Sequence, residues 1–172
     1  MPPDELPSIV TPAGPASDPA VNFDTYIPFG LTAIANKISR SASRTYLALF
    51  GIGINEWRIL ANLRARPGTT ANAICQHSGL DKAAVSRSLR LLEDNRMIET
   101  SPGSPESRGR NLRLTKAGDE LHDQVIMVAL AREARLLTGF TPEERVQFRY
   151  FITRLHANVS LVTGENEGVL LD

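Results

Sequence analysis

Cysteine is almost missing from this chain, with one, Cys75, among 172 residues. One thiol cannot close an internal disulfide, which excludes a disulfide-stapled secreted scaffold and fits a reducing, cytoplasmic setting. Long apolar runs are missing as well. None approaches the roughly 20 residues that a transmembrane helix needs. The N-terminus has no basic stretch leading into an apolar one, so no secretory signal is expected. Net charge is absent, with Lys and Arg balancing Asp and Glu at 19 each. The three histidines, His77, His122 and His156, fall on three different expected helices without a second ligand at metal spacing. They are expected at surface or capping positions rather than around a metal. No nucleophile–base pattern, phosphate loop or metal set appears, so neither an enzyme nor a bound cofactor is expected. No internal repeat appears either, and the length suits one domain-sized unit with a real core.

What is present centres on residues 81–94. Asp81 has the chemistry of an N-cap, since its carboxylate can accept first-turn N–H groups. Val85, Leu89 and Leu92 share one face of the helix that follows, and Lys82, Ser86 and Arg90 share another, with Arg87 beside Ser86. Upstream, residues 70–79 read as a shorter helix, with Thr70 as N-cap and Gly79 as a left-handed terminator. Two helices joined by a three-residue, Gly-containing turn make a helix-turn-helix, whose second helix is shaped for the DNA major groove. Downstream, residues 97–101 read as a strand, residues 102–110 as turn-rich, and residues 112–114 as a returning strand with Leu112 and Leu114 on one face. A hairpin after the recognition helix is a wing. Arg108 and Arg110 near its tip suit an arm that reaches phosphates or a minor groove.

At this point the chain resembles the MarR family of winged-helix transcriptional regulators. The resemblance rests on the runs 54–63, 80–87 and 106–118, which stand in the family's order and spacing. The third resembles the family's wing signature: an acid, an Arg two positions on, then Leu-Thr-x-x-Gly. Glu106 stands where Asp is commoner. Flanking helices extend the resemblance over roughly residues 25–162.

The charge distribution agrees. Residues 82–116 hold eight Lys or Arg against four acids, whereas residues 1–30 hold four acids and no base. Residues 117–172 hold nine acids against five bases, so positive charge gathers where DNA is expected.

The expected architecture is mainly α with a small β-hairpin wing, a winged helix-turn-helix flanked by long dimerisation helices. Residues 1–23 are expected as an extended or disordered arm. Residues 24–50 and 117–162 form the helical dimerisation region, residues 51–116 the DNA-binding region, and residues 163–172 a tail. Within the first helix Leu31, Ile34, Ile38, Ala42, Thr45 and Leu49 give the expected buried stripe. Asn55 is read as the cap of the next helix and Thr115 as the cap of a long one. Thr141-Pro-Glu-Glu144 is a capping box with Pro at the first helical position. The last helix presents Phe148, Phe151, Ile152, Leu155, Val159 and Val162. That stripe reads either as intrachain core or, as the resemblance implies, as a surface interlocked with a second subunit.

The expected function is that of a homodimeric, cytoplasmic, sequence-specific DNA-binding regulator, a repressor released from a pseudo-palindromic operator by a small molecule. Lys82, Ala83, Ser86, Arg87 and Arg90 are the major-groove candidates. Arg108, then Arg110, are the wing candidates, and Thr70 opens a helix whose N–H groups can meet a phosphate. The resemblance implies an anionic effector bound beside the first helix, with Lys37, Arg40, Ser41, Arg44, Trp57 and Arg58 as its candidate contacts. An aromatic acid is the first candidate and an acyl-coenzyme A thioester the second. Cys75 reads as core beside Ile74 and Ala71 or, by the resemblance, as an oxidant sensor. The alternative function is a winged-helix protein-interaction module without DNA binding, against which the basic wing and recognition face argue.

Overall fold

Capping residues decide where most of the helices begin. The computed structural model describes Asn22, residues 25–102 and residues 110–162. The chain divides into two units, residues 1–54 and 55–172. The first unit is built on α1 (Ile27–Phe50), which carries Pro28 in its opening turn and ends at Gly51. Gly51 takes the left-handed conformation, φ 72°, and its N–H bonds to the Leu47 carbonyl.

The second unit takes up the chain from α2 (Ile54–Ala65) onward: α3 (Ala71–Ser78), α4 (Lys82–Asp94), β1 (Ile98–Ser101), β2 (Asn111–Leu114), α5 (Lys116–Leu136) and α6 (Pro142–Asn158). A 3-10 turn, Val159–Leu161, follows. Its core is drawn from four helices. Ile59, Leu60 and Leu63 of α2, Ile74 of α3, Val85 and Leu92 of α4 and Val125 of α5 are fully buried. Each such side chain stabilises by about 1.5–3 kcal/mol relative to exposure. β1 and β2 pair antiparallel with Ile98 opposite Leu114 and Thr100 opposite Leu112. The outer edge of β2 is also occupied. Gly68 N–H donates to the Leu112 carbonyl and Leu112 N–H to the Thr69 carbonyl, both at 2.9 Å. The hairpin is thereby tied to the residues that open α3.

The start of α5 is stitched to the end of α4. Thr115 N–H donates to the Met97 carbonyl at 3.1 Å, its hydroxyl donates to the Arg96 carbonyl at 2.7 Å, and that hydroxyl accepts from Gly118 N–H. Gly118 is required by a close approach, since a Cβ there would stand 1.9 Å from the Met97 carbonyl oxygen. Arg96 is the one non-glycine residue with positive φ, 56°, among the described residues. It turns the chain out of α4 as a glycine otherwise would.

Four local expectations are corrected. Asn55 is not a cap, because α2 begins one residue earlier and takes Asn55 into its first turn. The α1 stripe is mostly uncovered: Leu31, Ile34 and Leu49 are exposed, Ile38 and Thr45 half-buried, and Ala42 and Tyr46 buried. Helical period identifies a shared face but not whether this chain covers it. His122 is not a surface histidine; it is buried, its ring stacked 5.4 Å from that of Trp57. Cys75 is half-exposed rather than core, because Ile74 takes the inward position of α3. The expectations for the arm, apart from Asn22, and for the tail at 163–172 lie outside the described residues.

α6 differs from the other long helices. Its capping box is complete, with Glu144 N–H donating to the Thr141 hydroxyl and Thr141 N–H donating to the Glu144 carboxylate. Yet none of its residues is buried. Phe148, Phe151, Ile152 and Leu155 are exposed, as is Val159 beyond its end. No described helix is long and apolar enough to cross a membrane.

Candidate nucleic-acid interface

The recognition helix is set by both of its ends. Gly79, φ 65°, closes α3 by donating its N–H to the Cys75 carbonyl. Two residues later Asp81 opens α4, its carboxylate accepting from Ala84 N–H at 2.7 Å. Thr70 caps α3 in the same way, its hydroxyl accepting from Ala73 N–H.

Once started, α4 divides its faces as its sequence period requires. Val85, Leu89 and Leu92 are buried, while Lys82, Ala83, Ser86, Arg87 and Arg90 are exposed. The inner face also carries a polar anchor. Ser88 is buried and its hydroxyl donates to the Glu56 carboxylate of α2 at 2.5 Å. A buried hydroxyl with a charged acceptor is satisfied and directional, so it holds the rotation of α4 about its axis. That rotation decides which side chains can face a groove.

The structure brings the start of α3, the outer face of α4 and the hairpin around one concave groove of about 530 Å³. Thr70, Lys82, Ser86, Arg90 and Arg110 line its rim; Val85, Leu89 and Leu112 contribute apolar floor. Arg110 is exposed, and its guanidinium donates to the Thr100 hydroxyl across the hairpin. Three cations and the N–H end of a helix thus share one surface, an arrangement suited to phosphate oxygens. Arg87 lies on an adjoining concavity with Ser86, Arg90, Leu91 and Asp94. Arg108 lies outside the described residues.

The candidate effector residues fall into two groups. Lys37, Arg40 and Arg44 are exposed and Ser41 half-buried on α1, where spacings of three and four put the bases on one face. Trp57 and Arg58 lie on α2, buried and half-buried respectively. The Trp57 ring packs on His122, whose Nδ1 lies 3.0 Å from the Asp123 carboxylate. Beside them Arg64 pairs with Asp119 at 2.6 Å, linking α2 to α5.

Three groove residues were not anticipated: Asn72, Glu93 and Thr100. Glu93 had a signal, since it continues the row Lys82, Ser86, Arg90 by one more helical step. Thr100 follows from the hairpin register, as it stands opposite Leu112. Asn72 had none, because its place depends on how α3 sits against the hairpin. Cys75 also lines the groove.

Known proteins share this fold. The profile of the MarR family matches residues 50–108. A MarR/EmrR family transcriptional regulator from Acinetobacter sp. ADP1 is 33% identical, with 82% of this chain and 99% of that one aligned and a TM-score of 0.76. The MepR protein of S. aureus, solved as a DNA complex, shares the fold at 23% identity over 81% of this chain and 99% of its own, TM-score 0.68. An uncharacterised HTH-type transcriptional regulator of Bacillus subtilis (strain 168), YwoH, is 25% identical over 116 residues, 67% of this chain and 83% of that protein.

Proposed function

We propose that this chain, which belongs to the MarR family of DNA-binding transcriptional regulators, works as a cytoplasmic homodimer on a pseudo-palindromic operator. Being a regulator, it is not an enzyme. The observation that carries the dimer is the bare apolar surface of α6 and of the start of α1. Phe148, Phe151, Ile152 and Leu155 are each 40% or more exposed, as are Tyr26, Ile27 and Phe29. Apolar surface on this scale marks a surface that another protein covers, and a second copy supplies the same faces by two-fold symmetry. One recognition helix per chain then becomes two, about one helical turn of DNA apart.

On each subunit Lys82, Ala83, Ser86, Arg87 and Arg90 face the major groove. Arg can take a guanine edge, and the Ala83 methyl can meet a thymine methyl. Arg108 and Arg110 serve phosphates or the minor groove, and the N–H groups opening α3 after Thr70 serve a phosphate. The protein represses. It is released by a small anionic effector, an aromatic acid or an acyl-coenzyme A thioester, for which Lys37, Arg40, Ser41, Arg44, Trp57 and Arg58 are the proposed contacts. The exposed row of three bases on α1 supports an anionic ligand, and the phosphates of a coenzyme A thioester would meet the same row.

Sedimentation and binding to selected duplexes test this reading. Wild type should sediment as a dimer, and a Phe151→Lys, Leu155→Lys variant should not. Duplexes enriched from a random pool should carry an inverted repeat with half-sites about 10 base pairs apart, centre to centre. A monomer in solution, or equal affinity for a single half-site, refutes it.

A further inference from the structure

We propose that Glu93 is an internal phosphate mimic, a fixed carboxylate that holds down the affinity of the recognition face for DNA of arbitrary sequence. The inference rests on the assignment of that face to DNA. Glu93 lines the groove together with Lys82, Arg90 and Arg110, and among the described residues these four are its charged lining. The acid is half-buried. Among the described residues no ion pair engages it.

Nor does the helix dipole account for an acid at this position. Glu93 stands in the last turn of α4, which holds no base. The helix macrodipole is negative at that end and disfavours a carboxylate. Glu93 also lies on the wrong part of α4 to read bases, since base edges meet the N-terminal residues of a recognition helix. What remains is its place among three cations that phosphates would occupy.

A carboxylate in that place acts in two ways. Without DNA it offsets part of the cationic field in the groove. With DNA it stands close to phosphate oxygens of its own sign. Both effects weaken binding to every sequence alike, because phosphates are common to all of them. A true operator recovers the loss through base contacts made by the outer face of α4, and arbitrary DNA does not. The regulator is thereby kept from being sequestered on the rest of the chromosome, where competing sites are vastly more numerous.

The test is Glu93→Gln, measured with a mixed-sequence 30-base-pair duplex across a salt series. Wild type should bind weakly and with steep salt dependence, which checks the assignment of the face independently of Glu93. Glu93→Gln should bind about fivefold more tightly at low salt, the order expected for one unit charge about 4 Å from a phosphate in a water-like dielectric. Its slope of log K against log salt should steepen by up to about one. Glu93→Asp, which keeps the charge, should match wild type, and Glu93→Ser should follow Glu93→Gln. Melting curves of all three variants check that the fold is kept. Unchanged or weaker binding in both Glu93→Gln and Glu93→Ser overturns the proposal, weaker binding pointing instead to a carboxylate that positions Arg90 or Arg110.

Discussion

Replacing Gly118 by alanine probes the joint between the wing and α5. The added Cβ would stand 1.9 Å from the Met97 carbonyl oxygen and 3.0 Å from its carbon. A relaxed C···O contact needs about 3.3 Å, so α5 and the Met97 peptide must part by roughly 1.4 Å. Met97 cannot move alone, because the same carbonyl accepts from Thr115 N–H at 3.1 Å. Overpacking of this kind costs about 1–3 kcal/mol, and loss of the hydrogen bond adds about 1. The gain in helix propensity from Gly to Ala returns less than about 1 kcal/mol. The net destabilisation is about 1–3 kcal/mol, equivalent to a fall in Tm of roughly 2–12 °C for a chain of this size. Thermal and urea unfolding followed by circular dichroism measure it, at one protein concentration because association raises apparent stability. Gly30→Ala is the control. Gly30 is helical and a Cβ there meets nothing within 4 Å, so the same substitution should be neutral or slightly stabilising. A Gly118→Ala protein that melts with wild type would falsify the close approach.

Four further outcomes are expected. Arg96→Gly should stabilise by about 1 kcal/mol in urea unfolding, since Arg96 holds φ 56° where only glycine escapes the Cβ penalty; a loss of stability would show that the Arg96 side chain matters more than its backbone. Arg87→Ala and Arg90→Ala should each weaken binding to the selected operator by about 1–3 kcal/mol, at least one relaxing its sequence preference. Arg108→Ala should instead weaken all sequences and make the salt slope shallower by about one; unchanged affinity would remove the wing from the interface. An effector that weakens operator binding ~100-fold carries ~2.7 kcal/mol of coupling, and titration with operator present must show its own affinity reduced by the same factor. Equal affinity with and without operator would show that it does not act as a switch.

Local chemistry was legible because its causes lie within a few residues. Asp81, Thr70, Thr115 and Thr141 each cap the helix that follows, because a short side-chain oxygen reaches an N–H three residues on. Gly79 announces the end of α3. The end of α4 has no such mark, since Arg96 takes the left-handed position usually given to glycine. The faces of α4 followed from spacing, so the proposed DNA-facing row could be read before any tertiary contact was known. Asn55 misled for the complementary reason: a residue with cap chemistry was absorbed into a helix begun by its neighbour.

By itself, then, the sequence determined the helix-turn-helix, the hairpin and the two faces of the recognition helix, all encoded at separations of two to four residues. Only the tertiary structure decided which faces are covered and what meets across elements. Period placed Leu31, Ile34 and Leu49 on one stripe of α1, yet those three are exposed while Tyr46 is buried. The stack of Trp57 on His122, the bond from Ser88 to Glu56 and the approach of Gly118 to Met97 join residues on different elements. Such contacts depend on where helix axes lie relative to one another. That placement is settled by the packing of the whole core, to which no short window of sequence has access.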